Sequence, residues 1–134
     1  MKYLLDTNVC IKYLNGRSEG IKKKLELTKP SDITLCSIVK AELFYGAMKS
    51  SKPSLNLQRI GYFAERFISL PFDDNTAQIY GNVRSYLEKI GKPIGPNDLL
   101  IASIAISNNI ILVTSNTKEF KRIKEIKIED WEQK

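Results

Sequence analysis

Short apolar runs separated by stretches of helical periodicity constrain this chain more than any other feature. MKYLLD opens it, ITLCS follows at Ile33, and a run from Ile110 to Thr114 reads IILVT. Ser69 to Phe72 and Ile126 to Ile128 are two further candidates. Strands this short and this apolar are buried on both faces, as in a parallel sheet with helices on either side. The expected class is therefore α/β: a three-layer α/β/α sandwich with a central parallel sheet.

The intervening segments support helices. NVCIKYL is capped near Thr7 or Asn8 and stopped by Asn15-Gly16, and a second helix over about residues 18 to 28 is broken by Pro30-Ser31-Asp32. Ser37 to Met48 forms a third. Leu57, Ile60, Phe63, Ala64 and Phe67 mark the stripe of a longer amphipathic helix, and Ala77, Tyr80, Val83 and Leu87 mark another over Asp73 to Ile90. After the stiff loop GKPIGP, Asn97 to Ser107 is apolar almost all round and reads as a buried helix. Thr117 to Arg122 is a short last one. At 134 residues all of this fits one domain spanning residues 1 to 134.

Several function classes fall away on composition. The chain has no histidine, which removes Ser-His-Asp and Cys-His nucleophile systems, histidine general-base ribonucleases and histidine-based zinc sites. Cys10 and Cys36 sit in apolar settings without a metal-binding spacing, as buried reduced thiols do. No run reaches the roughly 18 to 20 apolar residues that cross a bilayer, and the start is no secretory signal, so a cytoplasmic protein is expected. A net charge of +6 favours a polyanionic partner, RNA or DNA.

Three acids stand apart from the lysine-rich surface. Asp6 ends the first strand, where open α/β sheets build their sites. Glu42 has Ile38, Ala41, Tyr45 and Gly46 beside it on its helix face, and Asp98 opens the buried helix below Ile101, Ala102 and Ala105. Each has a plainer reading: Asp6 as a helix cap, Glu42 as an acid reaching solvent, Asp98 as a first-turn acid favoured by the helix dipole. Together they point to a cation, because converging carboxylates repel unless one compensates. All-oxygen ligands without His or Cys suit Mg²⁺ or Mn²⁺, and hard cations of this kind activate water for attack on phosphodiesters.

The stretches LLDTNVCI, SIVKAELFYGA, GKPIGPNDLLIASIA and ILVTSNTKEF with IKIEDW, in this order and spacing, resemble the PIN-domain ribonuclease toxins of the VapC type over essentially the whole chain. The resemblance implies a PIN-like fold and an acidic site at Asp6, Glu42 and Asp98 holding Mg²⁺, with Mn²⁺ as substitute. Many relatives carry a fourth acid where this chain has Asn116, one helical turn before Glu119, so Asn116 and Glu119 join the candidate site. Thr7 and Thr114 are expected to hydrogen-bond carboxylates or bound water. The resemblance further implies a homodimeric endoribonuclease of a type II toxin-antitoxin system, neutralised by a VapB-like antitoxin and halting translation. Its closest subgroup cuts initiator tRNA in the anticodon stem-loop. The alternative is a PIN fold without activity that binds RNA or a protein partner. Lys12, Lys40 and Lys118 lie near these motifs; Phe44, Tyr45, Phe120 and Trp131 read as packing residues, and EDWEQK as a solvated tail, with anchoring through Trp131 to the body or to a dimer mate as the alternative.

Overall fold

The structure is a computed structural model and describes residues 1–132. Strands β1 (Tyr3–Leu5), β2 (Ile33–Cys36), β3 (Ile68–Leu70), β4 (Ile111–Val113) and β5 (Lys127–Glu129) form one sheet in the order β3-β2-β1-β4-β5. Every neighbouring pair is parallel. The helices are α1 (Thr7–Leu14), α2 (Glu19–Leu27), α3 (Ser37–Lys49), α4 (Pro53–Ala64), α5 (Asp74–Lys89), α6 (Pro96–Ser107) and α7 (Thr117–Phe120). The expected three-layer sandwich with a parallel sheet is the observed architecture.

Local chemistry accounts for most element ends. Ser18 and Asp73 cap α2 and α5 by accepting the Ile21 and Thr76 backbone N–H groups. Proline occupies the first position of α4 and α6, where its missing N–H costs nothing. Gly16 and Gly91 end α1 and α5 at positive φ, 64° and 70°. The core is continuous: Leu4, Leu5, Leu35, Leu112 and Val113 from the sheet meet Ile101, Ala102, Ile104 and Ala105 of α6, all fully buried.

The chain path places the site. From β1 the chain steps outward through β2 to β3, then returns to the other side of β1 for β4 and β5. The order therefore reverses between β1 and β4, and in open α/β sheets such a switch point opens a crevice at the carboxyl ends of the strands. Leu5 pairs with Val113, and the Asp6 N–H donates to the Val113 carbonyl at 2.9 Å. Asp6 and Thr114 thus leave adjacent strand ends side by side.

Some expectations shift. Helix α4 stops at Ala64, and Phe67 is buried outside it, edge-on to Phe63 at 5.3 Å. Strand β3 begins at Ile68 and β5 at Lys127, each displaced by one residue, because register on the neighbouring strand decides the pairing. Helix α7 ends at Phe120 and continues only as a turn. Phe120 is buried as expected, but Phe44 and Tyr45 are 44% and 65% exposed: α3 packs through Val39, Leu43 and Ala47, which turns both rings outward. The tail is not solvated through Glu132. Trp131 is buried edge-on to Tyr3 at 5.2 Å, its indole N–H donates to Glu129 Oε1 at 3.0 Å, and Glu132 pairs with Lys12 at 2.5 Å. The last two residues of EDWEQK lie outside the described residues.

Candidate active site

Asp6 is 4% exposed and caps α1. Its Oδ1 accepts the Thr7 N–H at 2.8 Å and its Oδ2 accepts the Thr114 hydroxyl at 2.8 Å. The plain reading of Asp6 as a cap is borne out, and the same two donors hold its carboxylate rigidly. Burial raises its pKa, the two hydrogen bonds oppose that, and the charge of Glu42 adds to it.

Glu42 projects from the second turn of α3, half-buried. Its Oε1 accepts the Thr7 hydroxyl at 2.5 Å, and its Oε2 accepts Asn97 Nδ2 at 3.2 Å. Thr7 therefore links the two acids, donating its backbone N–H to Asp6 and its hydroxyl to Glu42. Asp98 enters from the first turn of α6 and is pushed up to about 6 by burial first, then by the charges of Asp6, Glu119 and Glu42. Asp98 thus feels the charge of each of the other three acids.

Asn116 and Glu119 complete the wall. The Asn116 N–H donates to Thr114 Oγ1 at 3.0 Å, and Asn116 Nδ2 donates to Glu119 Oε2 at 3.1 Å. Asn116 thus holds Glu119, and it is Glu119 whose charge reaches Asp98. Asn97 was not singled out from sequence. Its place beside Asp98 at the start of a helix was the available signal.

The thiols take no part. Burial raises Cys10 well above the ordinary thiol range and Cys36 to about 11, and the charge of Asp6 adds to both. Both are free and buried, as expected.

The donor set fits a hard divalent cation. As oriented, no three Asp, Glu or Cys side chains among the described residues form a ready coordination group, because Asp6, Glu42 and Glu119 are turned onto threonine and asparagine donors. The ligand atoms are nevertheless all carboxylate oxygens, on short and well-mounted side chains. The raised Asp98 pKa measures a negative field that a cation would relieve.

A match to the PIN domain covers residues 3–126. The chain is 44% identical to Ribonuclease VapC2 of Rickettsia felis over 133 residues, 98% of this chain and 99% of that protein. The chain belongs to the PIN-domain family, among the VapC ribonucleases. It is also 40% identical to the tRNA(fMet)-specific endonuclease VapC of Salmonella typhimurium, over 98% of each. The DNA-bound VapBC structure from Salmonella typhimurium superposes with a TM-score of 0.92 at 40% identity, covering 98% of each chain. Nucleases of the PIN family use a divalent metal, in line with the donor set found here. Among the described residues no helix is long and apolar enough to cross a membrane.

Proposed function

We propose that this chain is a single-domain cytoplasmic endoribonuclease that hydrolyses tRNA, initiator tRNA above all, with Mg²⁺ held by Asp6, Glu42 and Asp98. The observation that carries the reading is the chain of hydrogen bonds from Asp6 through Thr7 to Glu42 and on to Asn97, the neighbour of Asp98, beside the switch point between β1 and β4. The names of relatives 40% and 44% identical over nearly the whole chain support the substrate class. A bound Mg²⁺ would supply charge neutralisation at the phosphate and activation of a water, and Mn²⁺ would substitute.

The residues divide the remaining work. Thr7 fixes Asp6 and Glu42 relative to each other, Thr114 fixes Asp6 from the opposite side, and Asn97 holds the second oxygen of Glu42. Asn116 keeps Glu119 beside Asp98 as the fourth carboxylate. Because the attacking group is water rather than the ribose 2′-hydroxyl, the products carry 5′-phosphate and 3′-hydroxyl ends.

The toxin-antitoxin role follows the family. A groove of about 210 Å³ beside Glu42, apolar along Ile11, Leu14, Leu43 and Ile60 and polar at Asn56 and Arg59, suits an amphipathic segment of a VapB-like antitoxin. The active form is a homodimer whose cleavage of tRNA halts translation.

The test is to incubate antitoxin-free protein with total bacterial RNA in Mg²⁺, beside EDTA and Asp98→Asn controls, and to map the cut ends. Discrete cuts lost in both controls are expected. Products ending in 2′,3′-cyclic phosphate would overturn the water mechanism. Binding without cutting by metal-loaded protein would favour the inactive binding module.

A further inference from the structure

The acids of the proposed site, Asp6, Glu42, Asp98 and Glu119, repel the phosphates they have to admit, so cations beside them are needed to bring RNA in. Among the described residues two basic side chains are paired with acids, and Arg59, in the groove beside Glu42, donates to the Leu14 carbonyl. Lys12 is paired with Glu132 and Arg84 with Glu88. The lysines at 22, 23 and 24 on α2 share their surface with Glu19 and Glu26 beside Trp131, in a region lined by no residue of the acidic site.

The segment of α7 and the turn after it differs. Lys118 and Lys121 are exposed, flank Glu119, and form no ion pair with a carboxylate among the described residues. Arg122 follows, with its N–H on the Glu119 carbonyl at 3.1 Å. Its Nη1 donates to the Pro93 carbonyl at 3.0 Å, within the loop that leads into α6 and Asp98. That loop runs close to the acid, since a Cβ on Gly95 would stand 3.8 Å from Asp98 Oδ2. Arg122 therefore bridges the two segments that carry Glu119 and Asp98. Its partner is a neutral carbonyl, so its charge stays uncompensated by any described carboxylate. A guanidinium has five N–H donors in a planar fork that matches phosphate.

We propose that Arg122, with Lys118 and Lys121, forms a rim on the α7 side of the acidic site that grips the sugar-phosphate backbone of the RNA beside the cutting site. The inference rests on the endoribonuclease reading and adds the surface along which substrate enters. Arg122 sets the distance from the gripped phosphate to Asp98 because it is tied to the loop before α6. Lys118 and Lys121 extend the same track outward.

The test uses the full chain carrying Asp98→Asn, so that labelled initiator tRNA binds without being cut, and measures Kd over a range of KCl concentrations. Adding Arg122→Gln is expected to weaken binding about tenfold at moderate salt and to flatten the slope of log K against log salt by about 0.7 to 0.9, the value for one lost phosphate contact. The double substitution Lys118→Gln/Lys121→Gln is expected to flatten it by about twice that, and both side chains are exposed, so the fold is untouched. The triple substitution Lys22→Gln/Lys23→Gln/Lys24→Gln on α2 serves as a control with a smaller effect. Unchanged affinity and slope in both the Arg122 variant and the lysine pair would overturn the proposal. So would a lowered melting temperature for Arg122→Gln with the slope intact in the lysine pair, since Arg122 would then only tie the Pro93 loop. An unaltered RNA slope with weakened antitoxin binding would assign the rim to the protein partner. Whether the unsubstituted chain cuts RNA in Mg²⁺ is read separately, so loss of the nuclease reading is distinguishable from loss of the rim.

Discussion

Asp98→Asn should abolish cleavage and yet stabilise the metal-free protein. The Asp98 carboxyl, ordinarily at 3.8, is pushed up to about 6 by burial and by Asp6, Glu119 and Glu42. At about 1.36 kcal/mol per pKa unit this is about 3 kcal/mol of unfavourable charge, which solvent screening of a half-exposed group reduces to about 1 to 1.5 kcal/mol. The folded-state pKa is raised, so the penalty is absent below pH 3.8, where the carboxyl is protonated folded and unfolded, and develops in full as pH rises through about 6. Without metal, Asp98→Asn should therefore melt about 4 to 6 °C above the unsubstituted chain at pH 7.5, with most of the gap closed at pH 4. The assay is thermal melting at both pH values in EDTA, repeated with saturating Mg²⁺. The ion should raise the unsubstituted chain and leave the variant nearly unmoved. A variant no more stable than its parent at pH 7.5 in EDTA would refute the reasoning. An advantage equally large at pH 4 would do the same, because the gain would then come from packing rather than charge.

Two further substitutions probe the site's support and the tail. Asn116→Asp restores an acid where many relatives carry one, but it places a carboxylate about 3.1 Å from Glu119 Oε2 and removes the donor that holds it. Because a further carboxylate deepens the negative field that a cation relieves, it should lower the Mg²⁺ concentration for half-maximal cleavage, and a higher requirement would show that the Asn116 donor is needed to hold Glu119 in place. Gly20→Ala would put a Cβ 2.5 Å from the Trp131 carbonyl oxygen, forcing backbone to move. A loss of about 1 to 3 kcal/mol in denaturant is expected, with a red-shifted fluorescence from Trp131; unaltered emission would mean the tail is not seated against α2.

Much of the fold was legible in the chain because its signals are local. The apolar strand runs, the proline at the start of α6 and the all-apolar composition of that helix specify a covered parallel sheet through burial alone. The local placement of two acids was legible for the same reason: Asp6 caps α1 and Asp98 lies in the first turn of α6, as residue type and position indicate. Phe44 and Tyr45 were not, because α3 is apolar on nearly every side and only contact with α4 and the sheet decides which rings stay outside. Trp131 gave no periodic signal either. Its burial depends on Tyr3 and on the bare backbone of Gly20, both more than 100 residues away.

The sequence by itself determined the class of fold and, with no histidine in the chain, narrowed the candidate chemistry to carboxylates, since residue type and local spacing carry that information. Thr7 and Thr114 were expected to hold carboxylates, and they do; tertiary structure alone decided which ones, Thr7 shared between Asp6 and Glu42 and Thr114 reaching Asp6 across β1 and β4, and it alone turned Asn116 onto Glu119 and tied the loop of Asp98 to the end of α7 through Arg122. Most of these contacts join residues far apart in the chain. They exist because the strand order reverses between β1 and β4, a property of how the whole sheet is paired that no local run of residues encodes.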